Sequence, residues 1–254
     1  MKYLLLLLTP LLYAQEAPKA LVHTTINIAV AANVSYAIDA LKDKFAQNHP
    51  EIQVNVTLGS SGKLAAQISH GAPYGLFMSA NMAYVEKLYL QHNAITKPRV
   101  YARGTLSLFS TKKQDFTTGI ELLNTKSIQK IAIANPKTAP YGKAAKEAMQ
   151  TANIFNAIKH KLIFAESIAQ TLSFTMAAAD IGLVASSSLY SAKMSAYKKY
   201  INYVKVDTKL YTPIKQGVSL LSFSKNAQKY RLFYEFLFSV EAKKIFKQYG
   251  YIIL

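Results

Sequence analysis

Apolar positions along this chain recur with two alternating periods. Thr25–Val30 is a largely apolar, β-branched run suited to a strand buried on both faces. After Ala31-Ala32-Asn33, the residues Ile38, Leu41 and Phe45 recur at spacings of three and four. They mark one face of a helix that ends before Pro50. Ile52, Val54, Val56 and Leu58 then alternate with Gln53, Asn55 and Thr57, which predicts a half-buried strand. A turn at Gly59-Ser60-Ser61-Gly62 opens a second helix with Leu64, Ala65 and Ile68 inward. Gly71-Ala72-Pro73 stops it before a short strand at Leu76-Phe77-Met78.

The pattern restarts after about residue 103. Thr105–Ser110, Ile131–Ala134 and Ile181–Val184 read as strands, and Lys143–Ala152 and Ile168–Ala178 as helices. Val218–Phe223 is extended, and Lys225–Gln248 is helical with Tyr230, Phe233, Phe236, Leu237 and Phe246 inward. Strands alternating with helices predict α/β lobes built on mainly parallel sheets with right-handed crossovers. The expected division is a first lobe over 21–103, completed by about 219–254, and a second lobe over 104–218.

The first residues stand apart. Met1-Lys2-Tyr3 precedes five leucines, and the apolar run closes at Ala14, which reads as a secretory signal peptide over 1–14. Gln15, Glu16 and Lys19 end it well short of the ~20 apolar residues of a membrane span. The 254 residues contain no cysteine, so neither a lipid-anchored cysteine nor a disulfide is expected. Hydrophobic residues make up 51% of the chain, which excludes a disordered one. The net charge of +17 raises nucleic acid as a partner. The lysines are scattered in pairs such as Lys112-Lys113 and Lys198-Lys199, however, which predicts a solvated basic surface that steers anions and binds no nucleic acid.

Two turns carry the chemistry: Gly59-Ser60-Ser61-Gly62 and Ala139-Pro140-Tyr141-Gly142. Each joins an extended segment to a helix start, where free backbone N–H groups and the helix dipole receive an anion. Pro140 suits the first helical position, where its missing N–H costs nothing. Asn33 is either the cap of the first helix or an amide donor facing a cleft, and Ser167 marks a further helix entry. Enzyme signatures are absent: there is no G-x-S-x-G elbow and no phosphate-loop lysine pattern. His23, His49, His70, His92 and His160 are isolated, with none at zinc-ligand spacing.

Taken in order, these segments resemble a known family. Val30-Ala31-Ala32-Asn33, Gly59–Gly62 with Gln67-Ile68, Gly71-Ala72-Pro73 through Phe77-Met78-Ser79-Ala80, and Asn135-Pro136 with Ala139–Gly142 are similar to the periplasmic molybdate-binding proteins of ABC transporters. Ala179–Val184 and Ile245-Phe246 with Tyr249-Gly250-Tyr251 extend the likeness to the C-terminal part. The resemblance implies a two-lobed type II periplasmic binding protein, with the ligand held between the lobes. It implies a soluble, monomeric, non-enzymatic protein of the periplasm that needs no cofactor. Its partner would be the membrane permease of an ABC transporter, and its ligand molybdate or tungstate.

Carried over by position, the oxyanion contacts, and through them the molybdenum or tungsten, fall on Asn33, Ser61, Tyr141 and Ile168. Ala32 and Ser60 stand adjacent. The resemblance gives Ser61 a hydroxyl and an N–H, and Tyr141 and Ile168 backbone N–H groups. A tyrosine hydroxyl that some members carry is Ala185 here, so that one contact is either lost or supplied by the Asn33 amide instead. Two family acidic positions are Gly75 and Asn81. Molybdate is a dianion with four acceptor oxygens at neutral pH, so a site of neutral donors without a carboxylate suits it. Hydrogen phosphate would require an acceptor. The competing expectations are a sulfate or phosphate binder, a ferric-ion binder using paired tyrosines, and a secreted enzyme.

Overall fold

The computed structural model describes residues 24–224 and 228–253. The expected signal peptide, residues 21–23 of the expected first lobe, and Lys225–Ala227 of the expected last helix lie outside the described residues.

The first sheet begins with β1 (Thr24–Ala31), β2 (Ile52–Gly59) and β3 (Leu76–Ser79), separated by α1 (Ile38–Asn48) and α2 (Ser61–Ser69). Next come α3 (Met82–Leu90) and β4 (Arg99–Gly104). The second sheet starts immediately afterwards with β5 (Leu106–Phe109), followed by β6 (Ile131–Ala134), α4 (Pro140–Thr151) and α5 (Phe155–Ile158). It continues through β7 (Leu162–Ala165), α6 (Ile168–Ala177), β8 (Ile181–Ala185) and β9 (Tyr203–Lys205). The chain then returns: β10 (Ile214–Leu220) joins the first sheet, and α7 (Gln228–Phe236) and α8 (Val240–Gln248) pack on it.

The strand orders are β2-β1-β3-β10-β4 and β7-β6-β8-β5-β9. In each sheet the strands linked by helical crossovers are parallel, β1 to β2 and β3, and β6 to β7 and β8. The strands that bring the chain across the lobe boundary are antiparallel to their neighbours, β10 to β3 and β4, and β5 to β8 and β9. They enter from the opposite end, so both sheets are mixed.

Period-two alternation on β1 explains why both faces of the first sheet need covering. Ile26, Ile28 and Val30 pack with Leu41, Phe45, Phe233 and Phe246 from α1, α7 and α8. Ala29 joins Leu64, Ile68, Val85 and Leu88 from α2 and α3 on the other face. In the second lobe Ile131, Ile133 and Leu183 pack against Ala145, Ala148 and Met149 of α4. Phe109 and Val184 pack against Leu172 of α6.

Two expectations differ from the fold. Residues 214–218 lie in the first sheet, whereas the expected boundary put them in the second lobe. Lys215-Gln216-Gly217 hides the strand in the sequence, and the register shifts between Gln216 and Gly217. The expected helix Lys225–Gln248 is two helices, because Ser239 caps the start of α8 by accepting from the Ala242 N–H. Among the described residues no helix is long and apolar enough to cross a membrane.

Candidate functional site

Four chain turns meet where the two sheets face each other. β1 runs into a 3-10 turn at Ala32–Val34, and β2 ends at Gly59, one residue before Ser60 and the start of α2. From the second lobe, α4 starts at Pro140 and α6 at Ile168. Between them lies a small cavity lined by Ala32, Asn33, Ser60, Ser61, Tyr141 and Ile168, with Ala80 and Ala139 among the rest of its wall. All six positions expected from the sequence therefore line one space. No charged side chain lines it. The helix starts bring partial positive charge from both sides.

Local chemistry fixes each turn. Pro140 occupies the first turn of α4, and its N-cap Ala139 has extended backbone. Gly142 is required because a Cβ there would lie 2.1 Å from the Ala134 carbonyl, so α4 can start hard against the end of β6. Ser167 caps α6 by accepting from the Gln170 N–H at 3.3 Å. Ser61 Oγ accepts from the Ala80 N–H at 2.9 Å, which leaves its own proton free to donate. The Tyr141 phenol oxygen lies beside Gly104, at the crossing between lobes.

Asn33 differs from expectation. It sits inside the 3-10 turn and caps no helix by its side chain. Its Nδ2 donates at 2.9 Å to Gln216 Oε1 and at 2.9 Å to Tyr251 Oη. Both amide protons are engaged, so the amide cannot replace the donor missing at Ala185. Ala185, at the end of β8, is buried and contributes no donor. Gln216 and Tyr251 were not foreseen as parts of the site.

The two other departures from the family pattern have structural partners. Asn81 caps α3, accepting from the Tyr84 N–H. Gly75 lies under the Tyr230 ring, where a Cβ would come within 2.3 Å.

The lobes are closed over the cavity. The Gly62 N–H donates to the Thr138 carbonyl at 2.9 Å, and Ser187 Oγ donates to the Asn33 carbonyl at 3.0 Å. Lys63 and Glu166 form a half-exposed ion pair of 2.7 Å across the opening. Around the cavity, burial pushes the Tyr101, Tyr141 and Tyr251 hydroxyls well above the usual phenol range, so they stay protonated. Among the described residues no group of three or more His, Asp or Glu side chains could hold a bare metal ion.

A family model described as bacterial extracellular solute-binding protein matches residues 26–252. The chain is 31% identical over 229 residues to the molybdate-binding protein ModA of Azotobacter vinelandii, covering 89% of each chain. It is 28% identical over 229 residues to the putative ABC transporter substrate-binding lipoprotein YvgL of Bacillus subtilis (strain 168), covering 89% of this chain and 86% of that one. The solved structure of the Azotobacter vinelandii periplasmic molybdate-binding protein is similar with a TM-score of 0.81 at 29% identity. That match covers 90% of this chain and 99% of that one.

Proposed function

The chain belongs to the bacterial extracellular solute-binding protein family, and we propose that it captures molybdate, and tungstate with it, for delivery to the permease of an ABC transporter. The observation that carries this proposal is a cavity between two lobes, lined by neutral residues and helix starts and by no charged side chain. A fully deprotonated tetrahedral dianion presents only acceptors, and such a lining answers it. Ser61 donates a hydroxyl and an N–H, while Asn33, Tyr141 and Ile168 donate backbone N–H groups. In a dry cleft, bonds to an anion are stronger than neutral ones, about 1.5–3 kcal/mol each.

The protein works in the periplasm as a monomer, after loss of the leader, and binds its ligand without transforming it. Likeness to proteins named for molybdate binding and for ABC transport supports both ligand and partner. Calorimetric titration with molybdate, tungstate, sulfate and phosphate tests the proposal. Molybdate and tungstate are expected to bind tightly, with sulfate and phosphate weaker by orders of magnitude. Comparable heats for sulfate and molybdate would overturn it.

A further inference from the structure

We propose that Ser60 supplies a second side-chain hydroxyl to the bound oxyanion, beside that of Ser61. The inference rests on the oxyanion function proposed above and adds a contact that the resemblance left as a neighbour.

Six buried side-chain polar atoms among the described residues bond to nothing, and three belong to residues that line the cavity: Asn33 Oδ1, Ser60 Oγ and Tyr141 Oη. Asn33 Oδ1 carries no proton. Tyr141 Oη lies against Gly104. Ser60 is the remaining donor.

Its position explains why it is unpaired. Ser60 has extended backbone at the N-cap of α2, where a serine ordinarily accepts a bond from the first turn of the helix, yet its side chain makes none. The residue is only 4% exposed, so its hydroxyl is withdrawn from solvent as well. A buried hydroxyl with neither helix nor solvent as partner is costly unless a ligand completes it. Ala32 and Ala185 carry no donor, and the Asn33 amide is engaged. Ser60 and Ser61 thus put both of the cavity's hydroxyls on one helix start, in the first lobe.

The test separates ligand contact from helix capping. Ser60→Ala, Ser60→Asp, Ser61→Ala and the double alanine variant are titrated with molybdate and melted without ligand. For a donor, Ser60→Ala weakens binding about tenfold to a hundredfold, and the double variant binds more weakly than Ser61→Ala alone. Ser60→Asp keeps an N-cap residue and so the melting temperature, but its carboxylate repels the dianion and binding is lost. Unchanged affinity in Ser60→Ala, or molybdate binding retained in Ser60→Asp, would overturn the proposal. If the wild-type protein prefers sulfate or phosphate, the same variants titrated with that anion still decide the role of Ser60, while the molybdate function fails separately. No heat with any of the four anions would overturn both.

Discussion

Asn33 Nδ2 donates to Tyr251 Oη across 218 positions of sequence, and the Tyr251 hydroxyl in turn donates to the Asn33 carbonyl at 2.8 Å. This reciprocal pair ties a turn at the cavity to the C-terminal end of the chain. Gln216 Oε1 takes the second amide proton, and Ser187 reaches the same carbonyl from the other lobe. The Asn33 side chain is therefore a clamp on the turn that lines the cavity.

Replacing Asn33 by Asp sets a carboxylate against the Gln216 carbonyl oxygen and removes the donors to both partners. A stability loss of about 1–3 kcal/mol is expected, with weaker oxyanion binding accompanying it. Thermal melts with and without molybdate check this. Lost affinity at an unchanged melting temperature would instead make the side chain a ligand contact.

Ser61→Ala removes a hydroxyl from the cavity and also the acceptor of the buried Ala80 N–H. Binding is expected to weaken by about 1.5–3 kcal/mol, tenfold to a hundredfold, with a small fall in melting temperature. Backbone donors remain, so titration heats persist. Wild-type affinity in this variant would leave Ser61 as a turn residue only.

Gly142→Ala forces a Cβ onto the Ala134 carbonyl, and backbone cannot yield as a flexible side chain can. Overpacking of this kind costs about 1–3 kcal/mol. Because the shift moves the start of α4, which carries Tyr141, affinity and stability should fall together. Melting curves and calorimetry on one preparation check that coupling.

Glu166→Gln dissolves the ion pair that spans the opening. Both side chains are half-exposed, so the pair is worth at most about 1 kcal/mol, a few-fold in affinity, and salt screens it. The ratio of variant to wild-type dissociation constants is expected to approach one as salt rises. A ratio independent of salt would deny the pair a role in closure.

What the sequence disclosed was what local chemistry determines. The turns at Gly59–Gly62 and Ala139–Gly142 could be read because glycine, serine and proline act through their own backbones, and every residue expected at the site lines the same cavity. The β1 and β6 strands were legible as apolar runs. Gln216 was not, because a polar residue enters a core only through partners that folding brings to it. Here those partners are Asn33 and the Ile214 carbonyl. Tyr251 escaped for the same reason. The orientation of the Asn33 amide depends on both, so its expected role went wrong with theirs. The short strands β7 and β9 lack the periodicity that reveals longer elements.

The place of β10 has a consequence for how the protein is made. It lies next to last in the first sheet, between β3 and the edge strand β4, although it is synthesised after the whole second lobe. Until residues 214–220 emerge, the pairing edge of β3 stays open and β4 has no neighbour in that sheet. All strands of the second sheet are available earlier. The lobe that begins first is thus finished last, and a chain emerging N-terminus first carries an unfinished sheet until its final forty or so residues arrive.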